Sequence, residues 1–191
     1  MLLLSDKLVN VPVMSLQTGT ELARTSETIV DPRTLTIVAL YVEGPQIDIV
    51  PSVLHVADIR EAGELGFIVN DSNVLMSTEG LVRLQLIIDF DFTLAGTAVY
   101  DDHGKHLGKV ADYAFDPASY TIQQIYTHQS FFKSLSVVSN IIHRRQIISV
   151  TKERIIVESA TIKDRIAENA EAARAFVNPF RGTQAEPTDL H

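Results

Sequence analysis

Residues 97–125 read TAVYDDHGKHLGKVADYAFDPASYTIQQI, and this stretch decides the fold. A similar stretch, PVMSLQTGTELARTSETIVDPRTLTIVAL, occupies residues 12–40. The matched positions lie 85 residues apart: Gly19 and Gly104, Leu22 and Leu107, Asp31-Pro32 and Asp116-Pro117, Thr36-Ile37 and Thr121-Ile122. Ordered matches at one offset are typical of an internal repeat, so we predict that the chain is duplicated.

Further along the chain the offset between the two copies becomes 88 residues. Asp58-Ile59 then aligns with Gln146-Ile147, and Ile68-Val69 aligns with Ile156-Val157. The second copy has therefore gained about three residues, which we expect near residues 129–138.

Short β-prone segments separated by turn residues fill both copies. The candidate strands are residues 8–14, 20–30, 35–42, 53–56 and 66–69 in the first copy, and 96–100, 107–115, 121–127, 137–142, 147–150 and 154–157 in the second. Asp31-Pro32 and Asp116-Pro117 each end a strand, because proline has no N–H to donate to a neighbour. The pattern predicts a mostly β fold with a small barrel or sandwich in each copy, and closure into barrels would remove exposed edges.

The remaining segments join or follow the two copies. Residues 81–92, LVRLQLIIDFDF, contain no Gly, Ser or Pro, and we expect this apolar joining segment to be buried near the interface of two tightly packed barrels. From residue 160 the apolar residues recur every three or four positions, which predicts an amphipathic helix that ends at Pro179. The predicted divisions are a first barrel at 1–80, a second at 81–158, a C-terminal helix at 159–178 and a disordered tail at 179–191.

Composition excludes several classes of protein. With 46% hydrophobic residues among 191, the chain has enough apolar surface to fold. It has no cysteine, which rules out disulfide scaffolds, cysteine nucleophiles and thiolate metal sites. A net charge of −8 disfavours general nucleic-acid binding. The N-terminus lacks the features of a signal peptide and no apolar run approaches about 18 residues, so we predict a cytoplasmic chain without a membrane span.

The second copy resembles the PRC-barrel family over AVYDDHGKHLGKVADYAFDP. That family includes the small barrel of the photosynthetic reaction-centre H subunit and of a ribosome-maturation factor that assists 16S rRNA processing. The family's opening turn and Asp-Pro strand end correspond to Asp101, Gly104, Leu107, Gly108, Asp116 and Pro117. Its closing pattern resembles Gln146-Ile147 followed by Ile155-Ile156-Val157.

The first copy is a weaker match to the same family. It keeps the glycine, the leucine and the Asp-Pro pair, but Gln17 and Ala23 stand where the family has the turn acid and the second glycine. The resemblance covers roughly 150 of the 191 residues and implies two tandem PRC-like barrels that dock a protein partner. We expect two departures from the family: no membrane anchor, and nothing in residues 1–20 like the Gly- and His-containing motif that opens the ribosome factor.

Two clusters are candidates for partner binding. Phe131-Phe132-Lys133 falls in a predicted loop where the second copy gained residues, and adjacent exposed aromatics often anchor a partner. Alternatively, these aromatics cover a barrel end or the seam between barrels. Arg144-Arg145, with Lys133 and Arg154, would form a basic patch, the alternative being ordinary solvated charges.

The same sequence gives little support to catalysis. His103 and His106, flanked by Asp101 and Asp102, are suitable ligand types for a metal, but the family's turn needs this geometry without either histidine. No phosphate-binding loop or nucleophile motif is present. We therefore predict no catalytic, cofactor-binding or metal residues and a non-enzymatic adaptor of unidentified partner. The alternatives are a factor for ribosome maturation or RNA processing, which would bind ribosomal protein or rRNA, and a metalloenzyme using His103 and His106.

Overall fold

The computed structural model describes residues 1–45, 47, 50–79, 81–130 and 137–159. Within these ranges the fold is mostly β, with fourteen strands and one α-helix. The strands are β1 (Leu3–Leu4), β2 (Pro12–Ser15), β3 (Glu21–Asp31), β4 (Thr36–Glu43), β5 (Ser52–His55), β6 (Glu61–Gly63), β7 (Gly66–Val69), β8 (Leu75–Ser77), β9 (Ala98–Asp101), β10 (His106–Asp116), β11 (Thr121–Ser130), β12 (Val137–His143), β13 (Ile147–Val150) and β14 (Arg154–Val157). The helix, α1, is Val82–Asp89. No helix in the described part of the chain is long and apolar enough to cross a membrane.

The strands form one hydrogen-bonded network with an open path. The path runs β13-β14-β9-β10-β11-β4-β3-β2-β7-β6, and β1, β5, β8 and β12 branch from it. The predicted mostly β class is confirmed. The closure into two small barrels that the sequence predicted is not confirmed by this open path through the described strands.

The two halves of the chain pair their strands in the same way. In the first half β2, β3 and β4 are antiparallel neighbours, and β7 runs parallel to β2. In the second half β9, β10 and β11 are antiparallel neighbours, and β14 runs parallel to β9. Unusual backbone angles recur at the 85-residue offset as well: φ is 68° at Gly19 and 82° at Gly104, and 47° at Leu35 and 54° at Tyr120.

The halves meet where β4 lies beside β11. The Ile37 amide donates to the Tyr120 carbonyl at 2.9 Å, and the Ile122 amide donates to the Leu35 carbonyl at 2.9 Å. A shift of 85 residues exchanges these two hydrogen bonds, so the contact has the reciprocal form of an interface between two identical subunits. We call this contact the seam.

The largest apolar cluster spans the seam. It contains Leu40 and Phe67 from the first half and Ile122, Ile125 and Ile155 from the second, all buried. Residues Met1–Glu158 accordingly form one compact unit. The division into two domains at residue 80 stays a prediction. The predicted helix at 159–178 and the predicted tail at 179–191 lie outside the described residues, apart from residue 159.

The joining segment differs from the prediction of general burial. Residues 82–89 form α1, and only Leu84 is buried, against Ile29 and Val53 of the first half. Val82 is 72% exposed and Leu86 is 65% exposed. The expected burial of the whole segment was wrong because a helix lying on a sheet presents only one face of its 3.6-residue period to it.

Candidate functional site

The predicted partner-binding residues lie partly inside and partly outside the described residues. Phe131, Phe132 and Lys133 lie outside the described residues. Arg144 and Arg145 lie together in the 3₁₀ turn that connects β12 to β13. The basic neighbour suggested for them, Arg154, lies in β14 and does not line the groove that they border.

Arg144 and Arg145 border an open groove of about 840 Å³, which we call the arginine groove. It is lined by Met1, Leu2, Asp116, Gln123, Gln124, His143, Arg144, Arg145 and Ile147. The groove brings together three parts of the sequence: the N-terminus, the region of β10 and β11, and the turn after β12. Strand pairing between β11 and β12 places Gln124 opposite His143.

Local hydrogen bonds fix the arginine turn. The His143 amide donates to Gln146 Oε1 at 2.8 Å, and the Ile147 amide donates back to the Arg144 carbonyl. Arg144 Nη1 also donates to the Leu35 carbonyl at 3.4 Å, across the seam. Because that carbonyl belongs to the first half, Arg144 ties the groove to the seam.

Arg145 contributes the more available charge. Its side chain is exposed, and it forms no ion pair with any residue in the described ranges. A guanidinium group binds carboxylates and phosphates through two parallel N–H donors. An exposed arginine beside a groove is therefore suited to hold an anionic group of a ligand.

Asp116 is the acidic residue in the lining. The Ser119 hydroxyl donates to Asp116 Oδ2 at 2.8 Å and the Ala118 amide donates to Oδ1 at 3.2 Å. These hydrogen bonds, the first of them most strongly, hold the pKa of Asp116 below its usual value. The carboxylate is thus ionised at neutral pH and engaged with its own turn. The lining thus contains two guanidinium groups and one carboxylate.

Polar amides and apolar side chains complete the groove. Gln124 Oε1 accepts from the Tyr126 hydroxyl at 2.9 Å, and its Nε2 lies 3.4 Å from His143 Nδ1. Met1 is fully exposed and Leu2 is 38% exposed, and both belong to the lining. The groove can therefore contact an anionic group, a hydrogen-bonding backbone and an apolar side chain in one ligand. Sequence reasoning missed the glutamines, because only the β11–β12 pairing brings them beside the arginines.

A smaller cleft of about 220 Å³ lies next to the groove, and we call it the polar seam cleft. It is lined by Pro32, Arg33, Thr34, Leu35, Arg144, Ile147, Ile148, Ser149 and Val150. Arg33 is already paired, because its Nε and Nη2 each lie 3.0 Å from an oxygen of Asp31. The side-chain hydrogen bond from Arg33 lowers the pKa of Asp31. The charge of Arg33 is therefore largely committed within its own turn.

The histidine turn between β9 and β10 is organised by Asp101. Its buried carboxylate accepts from the amides of His103 at 3.0 Å and Lys105 at 2.8 Å. The His106 ring packs against Tyr100 with ring centroids 5.0 Å apart. Among the described residues no three His, Asp or Glu side chains group closely enough to hold a metal ion. The Asp101 carboxylate thus holds the backbone of this turn in place through hydrogen bonds to its amides.

No family model matches this sequence, and no curated protein matches it.

Proposed function

We propose that this protein is a non-enzymatic adaptor built from two tandem PRC-like modules, and that it binds an acidic segment of a partner protein in the arginine groove. The observation that carries the proposal is Arg145, exposed beside an open groove without an ion pair to any described residue. The proposal that each half is a PRC-like barrel rests on the family resemblance. The repeated strand pairing and the repeated φ angles at the 85-residue offset support the duplication.

Charge complementarity favours an acidic protein segment as the ligand. The whole chain carries a net charge of −8, so a local pair of arginines stands out against an acidic surface. An extended acidic peptide brings carboxylates to such a pair without a second large repulsive surface. A nucleic acid presents one phosphate per nucleotide along its length and would meet the acidic surroundings as well.

The groove also has the mixed character that peptide binding needs. Its Gln123 and Gln124 amides can pair with a peptide backbone, and the exposed Met1 and Leu2 can cover an apolar side chain. Arg145 would then supply the specificity for an acidic residue. A ligand with alternating acidic and apolar residues matches these three features together.

The test is a titration of a fluorescein-labelled peptide of alternating Glu and Leu, followed by fluorescence anisotropy. We expect saturable binding that weakens with added salt, and a loss of about tenfold in affinity for Arg145→Glu. The matched control is Arg83→Glu, which makes the same charge change at an exposed position on α1 that does not line the groove. We expect this control to bind within twofold of the wild type.

Two results would overturn the proposal. One is an equal loss of affinity in Arg145→Glu and Arg83→Glu, which would indicate a general charge effect. The other is tighter, salt-sensitive binding of a single-stranded oligoribonucleotide than of the peptide. That second result would favour the alternative of a factor associated with ribosome maturation or RNA processing.

A further inference from the structure

A cleft of about 270 Å³ is lined by residues from both halves of the chain, and we call it the apolar seam cleft. It is lined by Leu3, Lys7, Leu8, Val11, Ala62, Gly63, Gly66, Phe67, Phe115, Pro117 and Tyr120. The first half contributes the β6–β7 hairpin and the N-terminal segment, and the second half contributes the end of β10 and its Asp-Pro turn.

Rigid apolar side chains form most of the cleft. Leu8, Phe67 and Phe115 are at most 4% exposed and belong to the main core cluster. The rings of Phe115 and Tyr120 stack with centroids 6.1 Å apart and planes inclined by 16°. Such a preformed wall of aromatic and aliphatic groups favours binding of a flat apolar ligand, because little conformational entropy is lost in the protein.

The apolar character of this cleft is not required by the seam. Residues Pro117 and Tyr120 correspond to Pro32 and Leu35 at the 85-residue offset, and these line the polar seam cleft. Ala62 corresponds at the 88-residue offset to Val150, which lines the polar seam cleft too. The two clefts thus occupy corresponding places, yet the second contains Arg33, Thr34, Arg144 and Ser149. The charged residues Arg33 and Arg144 correspond to Ala118 and Val56, which do not line the apolar seam cleft.

One charged residue lines the apolar seam cleft. Lys7 lies in the 3₁₀ turn Ser5–Leu8, and its side chain is 65% exposed. Lys7 Nζ lies 3.8 Å from Asp6 Oδ2, an exposed contact that contributes little. A lysine ammonium at the border of an apolar cavity favours ligands with an anionic group attached to an apolar body.

We propose that the apolar seam cleft binds a small carboxylic acid with an aromatic body, with the ring against Pro117 and Tyr120 and the carboxylate at Lys7. The size of the ligand follows from the volume of the cleft. A dry cavity of about 150 Å³ takes up benzene, so about 270 Å³ accommodates roughly ten non-hydrogen atoms. This site is separate from the arginine groove, and either proposal stands if the other fails.

The probes are 3-phenylpropanoate, which has a charged carboxylate, and its neutral amide, titrated into the full chain by calorimetry. We expect saturable binding of both, with the acid bound more tightly. Lys7→Met removes the ammonium from an exposed side chain and should weaken the acid about fivefold while leaving the amide within twofold. The matched control is Lys105→Met, which removes one positive charge at an exposed position outside the cleft.

A second variant tests the cavity itself. Ala62→Phe places a ring at an exposed position of the lining and should abolish binding of both probes. Val150→Phe, at the corresponding position of the polar seam cleft, is its control and should bind both probes as the wild type does. Thermal melting of each variant checks that the fold is intact.

Three results would overturn the proposal. Absence of saturable binding of both probes at millimolar concentration would remove the site. Equal effects of Ala62→Phe and Val150→Phe would show that binding occurs elsewhere. Equal losses of the acid and the amide in Lys7→Met would refute the role of the ammonium group.

Discussion

Replacement of Ile122 by alanine tests whether the seam holds the two halves together. Ile122 is fully buried in the cluster shared by both halves, and its amide donates to the Leu35 carbonyl across the seam. The substitution removes three carbons, worth about 2.4 kcal/mol of transfer free energy at about 0.8 kcal/mol per carbon. The cavity left behind raises the loss, and we expect the free energy of unfolding to fall by about 3.5 kcal/mol.

The assay is urea unfolding followed by far-UV circular dichroism, with thermal melting as a second measure. Because residues Met1–Glu158 form one compact unit, we expect a single transition for this region in wild type and variant. At about 3 °C per kcal/mol for a unit of this size, the midpoint of melting should fall by about 10 °C.

The control for this prediction is Ile148→Ala, the same chemical change at a side chain that is 55% exposed. Its free energy of unfolding should stay within about 0.5 kcal/mol of the wild type. A loss below about 1 kcal/mol in Ile122→Ala would contradict the packing argument. Two separate transitions, only one of them shifted, would contradict the single cooperative unit.

Two further predictions concern turns in the first half. The hydrogen bond from Arg33 lowers the pKa of the Asp31 carboxylate in the folded protein. The ionised pair therefore stabilises the fold at pH values above the unfolded pKa of about 3.9, and this stabilisation is lost as the pH falls through the lower folded pKa. Asp31→Asn should lower the free energy of unfolding by about 1 kcal/mol at pH 7. Urea unfolding at a series of pH values should show the difference between wild type and variant becoming smaller at acidic pH. Gly66 has a φ of 104°, and an added Cβ would meet the carbonyl of Pro12. Gly66→Ala should therefore lower the free energy of unfolding by at least about 3 kcal/mol in the same assay. Gly19→Ala should lower it by only about 1 kcal/mol, because φ is 68° there and no atom lies near the added Cβ. Equal costs at the two glycines would refute the steric argument.

Much of the strand pattern could be predicted from the sequence because turn residues bound the strands closely. The predicted strand at 107–115 corresponds to β10 (His106–Asp116), which follows the Gly104 turn and ends before Pro117. The predicted strand at 154–157 has the same bounds as β14. In both places a short β-prone run follows a turn, and Pro117 also ends the pairing of β10 because it has no N–H to donate.

The elements that were missed depend on distant partners or lack local signals. β6 and β8 have three residues each and exist as strands through their pairing with β7 and β5. α1 was missed because its N-cap is Leu81, whose apolar side chain makes no capping hydrogen bond. The predicted strand at 8–14 begins only at Pro12, since Ser5–Leu8 form a 3₁₀ turn.

In the candidate site, too, contacts between residues close in sequence could be predicted, and contacts between residues far apart in sequence could not. That Arg144 and Arg145 lie together follows from their adjacency in the sequence. Their position beside Gln124 depends on the register of β11 against β12, and the bond from Arg144 to Leu35 joins residues 109 positions apart. No local pattern encodes such contacts, because they arise when the strands assemble.

The two seam clefts show that the two copies of the proposed duplication share a backbone conformation and differ in side chains. Leu35 and Tyr120 share the same unusual backbone conformation, which the turn after each Asp-Pro pair requires. The side chains around them differ, however: Val56 stands at the position that corresponds to Arg144, and it packs on the core instead of bordering a groove. Substitutions of this kind change the chemistry of a cleft while the seam's hydrogen bonds remain in place. The asymmetric positions Arg33 and Arg144 bring charged side chains to the polar seam cleft, whereas the corresponding residues Ala118 and Val56 do not line the apolar seam cleft.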